Sequence, residues 1–329
     1  MQTKLLPHNE LVSLVECTLS VLETEHEDYR PCVPLLGIPG GLLDFCTGKK
    51  IIPTIIVPDL HARPDFFSNI LSFKPKIPNT SAEGCTSVLN LMQKGEVRLV
   101  CVGDGLHSEL RKDRWLKAFD EFEKGVFTGK AIVQEMEEGL SLMEMVMRCK
   151  CDFPEFFHFL KGNHENILNT TRHGNHPFRK FAQEGEMVKL FMSEYYGDDV
   201  LHLYACMEDS LPLCALCPNC IVSHAEPIEF YSREQLIEGL TDDSLIEGLT
   251  WTGNDESTEG CVQKMLEELL PDYPEAVYFG GHRPVKERYA TRQKGKFIQI
   301  HNPRQQNVAV VNPFYPFDAE TDIIAVKEI

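Results

Sequence analysis

Five short apolar runs in this chain end on residues that bind metal ions or move protons. PTIIVPDLH closes on Asp59 and His61, VRLVCVGD on Asp104, FHFLKGNHE on Asn163 and His164, CIVSHAEP on His224, and AVYFGGH on His282. Carboxylate and amide oxygens mixed with imidazole nitrogens suit a pair of divalent ions such as Mn²⁺, Fe²⁺ or Zn²⁺. One His beside an apolar run is commonly a turn or core residue. Five such endings in order, three of them next to glycine, form a pattern.

Apolar runs of this length bounded by turn residues read as buried strands, and ligands collect in the crevice outside strand ends. Five strands are therefore expected to aim these groups at one place. Around them, Leu11, Leu14, Val15, Leu19 and Leu22 recur at helical spacing within residues 9–29, ahead of an acidic turn. RPCVPLLGIPGGLLD at 30–44 carries enough Pro and Gly for an irregular arm leading to the first core strand. Helical patterns fill 107–150, and Met136, Met143 and Met147 read there as core packing. The duplicated LIEGLT at 236–241 and 245–250 is too short for a repeat architecture. KFIQIHNP and NVAVVNP read as a closing hairpin.

The order and wording of these strings resemble the calcineurin-like metallophosphoesterases, nearest their phosphoprotein (serine/threonine) phosphatase branch. PDLH at 58–61 stands where that family writes GD-x-H, GDG at 103–105 where it writes its second GD, and GNHE at 162–165 matches outright. LPLCALCPNCIVSHAEP at 211–227 looks like the family's helix and strand before a ligand His, GGHRPV at 280–285 like its last ligand motif, and TWTGND at 250–255 like a loop bordering the site. The resemblance implies an α/β fold: a four-layer α-β-β-α metallophosphoesterase sandwich of two mixed sheets flanked by helices. It divides the chain into an arm over 1–50, a metallophosphoesterase domain over 51–312 with a helical insertion at 107–150, and a tail over 313–329. That insertion is read as a lid or an oligomer surface.

The same resemblance implies two divalent ions, with Asp59 and His61 on the first, Asp104 bridging, and Asn163, His224 and His282 completing the second. Such a pair lowers the pKa of a bound water and stabilises the attacking and leaving oxygens of an in-line displacement. His164 takes the role of general acid, since a leaving alkoxide needs a proton. Glu165 is expected to cap a following helix and support the fold. The chain departs from the protein phosphatases after Asp104, where GDGLHSE puts His107, Ser108 and Glu109 in place of their Asp-Arg-Gly. A carboxylate behind the acid imidazole and an arginine on the phosphate are thereby missing. His107 is open to an orienting or substrate-contacting role or to that of a turn residue. Arg63 and Arg283, beside ligand positions, are the candidate replacements for phosphate binding, against a salt-bridging role.

Composition excludes several classes. Fifty acidic against 32 basic residues give a formal charge of −18 over 329 residues, which disfavours nucleic acid and anionic lipid as partners. The hydrophobic content of 43% includes no long apolar span, and the start lacks a signal-like segment, so a cytoplasmic setting without membrane association is expected. Twelve cysteines then read as free thiols. Cys214, Cys217 and Cys220, with Cys206 upstream, invite a zinc or iron–sulfur reading; with Cys214 and Cys217 on one helix face they read instead as buried or redox-sensitive thiols. The expected partner is a phosphorylated substrate. Phosphoanhydride hydrolysis, as of dinucleoside polyphosphates, and a non-catalytic scaffold are the rival readings.

Overall fold

A computed structural model describes residues 3–47, 50–78, 80 and 84–326. Eleven strands run along the described chain: β1 (Leu42–Asp44), β2 (Thr54–Val57), β3 (Arg98–Cys101), β4 (Phe157–Phe159), β5 (Cys214–Cys217), β6 (Cys220–Ser223), β7 (Val277–Gly280), β8 (Ala290–Arg292), β9 (Phe297–Gln299), β10 (Asn307–Val311) and β11 (Ile323–Ala325). They form a six-stranded sheet in the order β1-β5-β6-β7-β9-β8 and a five-stranded sheet in the order β11-β10-β2-β3-β4. In one sheet β2, β3 and β4 are mutually parallel. In the other β6, β7 and β9 are. Antiparallel partners complete both, so the sheets are mixed.

Alternation along single strands builds the layers. Ile55 and Val57 face a core shared with α1 (His8–Glu23), α2 (Pro64–Ser72), α3 (Val88–Gln93), α4 (Lys112–Glu123), α5 (Lys130–Asp152), α6 (Glu184–Tyr196) and α7 (Asp198–Asp209). Ile56, one residue out of phase, enters the core between the sheets with Val100, Val222 and Phe279. A third core joins the six-stranded sheet to α8 (Arg233–Glu238), α9 (Asp243–Thr250) and α10 (Cys261–Leu269). The result is the helix, sheet, sheet, helix order expected from the sequence. Each fully buried Ile or Val contributes about 1.5–3 kcal/mol. Ile56→Ala, which opens a cavity between the sheets, would cost about 2–5 kcal/mol.

Several segments differ from the sequence reading. Residues 214–223 are no helix but a hairpin, with Cys214 opposite Ser223 and Cys217 opposite Cys220. Its two-residue turn, Pro218-Asn219, has Asn219 at φ 69°, a conformation Asn tolerates. The expected closing hairpin is also absent, because β9 and β10 belong to different sheets: β9 pairs with β8, and β10 with β2 and β11. The segment read as a tail returns as edge strand β11, while residues 327–329 lie outside the described part. Within 107–150, Met136, Met143 and Met147 are buried. Helix α5 packs directly on the loop after β3, where a Cβ on Gly139 would stand 2.1 Å from the Leu106 carbonyl.

Candidate metal centre

The loops that follow β2, β3 and β4 of one sheet and β6, β7 and β9 of the other meet at one end of the sandwich. Asp59, His61, Asp104, Asn163, His224 and His282 come together there, all but the partly exposed His282 buried. Asp104 Oδ2 sits between the two halves, 3.5 Å from His61 Nε2 and 3.5 Å from His224 Nε2. Three overlapping groups, Asp59-His61-His301, His61-Asp104-His164 and Asp59-Asp104-His224, each bring their ligand atoms within 4.8 Å of one another. His61, Asp104 and His282 all adopt positive φ, at 40°, 56° and 60°. Such conformations are costly away from Gly and persist where the surroundings enforce them, as they do at functional sites. Gly281 is required by close approach, since a Cβ there would lie 1.7 Å from Asp59 Oδ1.

Proton placement shows what the site lacks in hydrogen-bond terms. His61 Nδ1 is 2.8 Å from the His107 carbonyl, and His224 Nδ1 is 3.0 Å from that of Val102. A carbonyl only accepts, so the His61 ring carries a proton on Nδ1 and turns Nε2 inward. His224 Nε2 then faces the Asn163 amide oxygen at 2.9 Å, and His282 Nδ1 faces the same oxygen at 3.0 Å. Burial, despite the Asp59 charge, pushes His224 down to about 4; burial, His224 and Arg283 push His282 to about 3. Both are neutral at pH 7. Nitrogen and oxygen ligand atoms thus crowd together here, and Asp59 Oδ1, His61 Nε2 and His301 Nδ1 are buried with no hydrogen-bond partner. Groups arranged so fit a cation.

The carboxylates tell the same story. Burial, the neighbouring Glu165 and Asp59 hold Asp104 well above the usual carboxylate range. Burial also opposes ionisation of Asp59, but His301, His61 and His224 outweigh it and draw it down. Asp59 and Asp104 with His61 and His301 therefore fit one divalent ion, and Asp104 with Asn163, His224 and His282 a second.

His301 and Glu109 were not identified as site residues from sequence. His301 follows β9; its Nδ1 lies 3.7 Å from Asp59 Oδ2 and its Nε2 2.6 Å from Glu109 Oε2. A ligand imidazole commonly donates its other N–H to a carboxylate, which fixes ring orientation and tautomer. Glu109 in turn is held by Lys180 Nζ at 2.5 Å and approaches His61 Nε2 at 3.7 Å. FIQIHNP shows the same apolar-run-then-His ending as the five strings above. Its reading as one arm of a hairpin concealed it.

His164 lies at the mouth, 15% exposed, with Nε2 3.9 Å from Asp104 Oδ2 and its backbone N–H donating to Asp104 Oδ1 at 3.0 Å. Its ring stacks on Phe178, centroids 4.1 Å apart and 22° between planes. His107 meets it edge-on at 5.2 Å, and neither His107 nitrogen has a hydrogen-bond partner. Packing, not a carboxylate, orients His164. Burial and the imidazoles of His61 and His107 hold it well below its ordinary value.

Glu165 caps no helix. Its carboxylate accepts the N–H groups of Gly162, Asp104 and Gly105 at 2.7, 2.8 and 2.9 Å and so ties the GDG loop to the GNHE loop. Arg63 spends its donors on the backbone: Nε donates to the Leu60 carbonyl, Nη2 to that of Asp59, and Nη1 reaches those of Asn302, Pro303 and Gln305. It pins the His61 loop to the His301 loop. Arg283 is exposed beside His282. Trp251, from the TWTGND loop, meets the His282 ring at 6.4 Å. Cys214, Cys217 and Cys220 are buried free thiols, and no cysteine joins a metal-competent group among the described residues. No helix among these residues is long and apolar enough to cross a membrane.

No protein-family model and no curated protein matches the chain. Solved structures do. A protein serine/threonine phosphatase from Saccharomyces cerevisiae, with similarity to human phosphatase PP5, aligns at a TM-score of 0.57 and 14% identity over 98% of this chain and 89% of that one. A cold-active protein tyrosine phosphatase of a psychrophilic Shewanella aligns at 0.45 and 12% over 83% and 77%, and a putative diadenosine tetraphosphatase at 0.43 and 15% over 87% and 97%. The fold is that of the calcineurin-like metallophosphoesterases.

Proposed function

We propose that this protein hydrolyses phosphate monoesters at a dinuclear metal centre. The observation that carries the reading is the convergence of His61, His224 and His282 with Asp59, Asp104 and Asn163 around Asp104 Oδ2, with buried ligand atoms of Asp59 and His61 left without a hydrogen-bond partner. A divalent pair bound there, of Mn, Fe or Zn, supplies Lewis acidity and lowers the pKa of a coordinated water. The side chains do the rest. Asp104 spans both positions; Glu109 and the His107 carbonyl orient His301 and His61; Asn163, His224 and His282 close the second position.

His164 delivers the proton. Its resting imidazole is neutral, but an anionic phosphate docked at the mouth favours the imidazolium, and Nε2–H then passes its proton to the leaving oxygen. Arg283 is the cation beside the ligands left to meet the phosphate, since Arg63 is committed to backbone carbonyls and Lys180 to Glu109. Glu109 puts a negative charge beside His61 and His301, which favours a compact monoester over a phosphoanhydride with its longer anionic chain. The test is a steady-state comparison of aryl phosphates, phosphopeptides and dinucleoside polyphosphates with Mn²⁺ supplied. Monoester turnover that chelation abolishes is expected; no turnover of any phosphoester would refute the proposal.

A further inference from the structure

A cavity of about 310 Å³ opens at the end of the sandwich opposite the metal centre and is lined by Tyr29, Phe45, Arg98 and Phe156, with Asp28 and Glu155 beside them. Arg98 begins β3, whereas Asp104 lies beyond its end. At about 3.3 Å per residue the two are on the order of 20 Å apart, so the cavity is separate from the metal centre.

Arg98 is the unusual element. It is 5% exposed, its guanidinium carbon lies over the Phe45 ring 3.6 Å from the centroid, and neither Nε nor Nη1 has a hydrogen-bond partner. The other buried arginines behave differently: Arg30 and Arg63 spend their donors on carboxylates or carbonyls. A buried guanidinium with vacant donors is expensive, and such groups call for an explanation. Asp44, an acid on the wall, does not serve it: its carboxylate is taken by Arg233 and by the N–H of Cys46. Tyr29 stacks on Phe45, centroids 5.8 Å apart and 19° between planes, and Phe156 lines the same space, which gives it an apolar side.

We infer that this cavity binds a small organic monoanion: a carboxylate received by the Arg98 guanidinium, which Phe45 backs, carried on a planar apolar body beside Tyr29 and Phe156. Pockets of this kind combine apolar walls with a few placed polar groups, and guanidinium is well matched to carboxylate. Asp28 and Glu155 at the rim, in a chain of net charge −18, oppose multiply charged ligands and so select a single negative charge. An internal counter-ion is the competing explanation. Burial pushes the Cys217 thiol up, but a hydrogen bond with Cys220 and the Arg98 charge outweigh it, so a Cys217 thiolate could balance the arginine instead.

Fluorine NMR of the metal-loaded protein decides, with para-fluorobenzoate as probe and neutral para-fluorobenzamide as control. Saturable binding of the benzoate, at least tenfold tighter than the amide, is expected. Arg98→Gln should lose at least tenfold, and Asp59→Asn, which disables the metal centre, should leave binding unchanged. If Arg98→Gln does not fold, Tyr29→Ala, at a partly exposed wall, should weaken binding severalfold. Equal affinity for acid and amide, no saturation, or loss of binding in Asp59→Asn would overturn the assignment. Its failure would leave the phosphatase reading untouched, because the two sites share no residue.

Discussion

Two buried clusters of charge stand in instructive contrast. At Glu25 every group is answered: its carboxylate, fully buried, meets Arg30 at 2.5 Å and Lys150, while Arg30 also donates to the carbonyls of Gly40 and Ser210, and Lys150 to those of Pro154 and Phe157. None of these side chains has a buried atom without a partner. At the metal centre, Asp59, His61, His282 and His301 each leave one buried atom unpartnered, and three ligand residues take positive φ. The first cluster joins the N-terminal segment to α5 and β4. The second is held open by the fold for something the polypeptide does not supply, at the expense of stability elsewhere.

Substitutions should therefore separate activity from stability in opposite directions. Asp104→Asn is expected to abolish phosphatase activity and metal retention while raising the stability of the metal-free protein by about 1–3 kcal/mol, because a strained buried carboxylate is relieved. Paired urea melts and elemental analysis check it; a metal-free protein made less stable would break the contrast. His164→Ala should lower kcat by about 10²–10⁴ on alkyl phosphates with little change in metal content. The loss should shrink on aryl phosphates whose leaving group needs no proton, and an equal loss on both would remove His164 from the acid role.

Glu25→Ala should leave metal content intact in the folded protein and cost about 3–5 kcal/mol, since Arg30 and Lys150 are left buried without their anion. Acid should act on the same cluster. Burial opposes Glu25 ionisation, but Lys150, His158 and Arg30 outweigh it and hold it below its ordinary 4.5, so its contribution is present above that pH and lost as pH falls through the folded value. Burial and Lys150 hold His158 at about 4 against 6.5 unfolded, so the unfolded chain takes that proton first and stability declines as pH falls from 6.5 toward 4. His158→Gln should flatten that part of the urea-melt profile; an unchanged slope would contradict it. The smallest effect is expected for Glu109→Gln, about 10–100-fold in metal affinity through His301, read by competition with a chelator.

Much of this end of the molecule was legible because ligand chemistry and strand endings coincide in short strings. Asp59, Asp104, Asn163, His224 and His282 each follow an apolar run directly, and parallel strands within each sheet bring such endings to the same edge. His301 obeys the same rule, yet it was absorbed into a supposed hairpin; the register of β9 against β7 and β8 is a long-range property that local alternation does not encode. The cysteine segment failed differently. C-x-x-C drew attention to a shared helix face, while Pro218-Asn219 between apolar runs was the turn signal that decided the local structure. Arg63 could not be placed from sequence, because proximity to His61 does not reveal that five backbone carbonyls surround its guanidinium. Phe178, which orients His164, lies in a loop with no periodic pattern.

The most direct test is anomalous diffraction from crystals grown with Mn²⁺. Two peaks per chain are expected on either side of Asp104, one among Asp59, His61 and His301 and the other among Asn163, His224 and His282. A single peak, or ions bound only elsewhere on the acidic surface, would contradict the account.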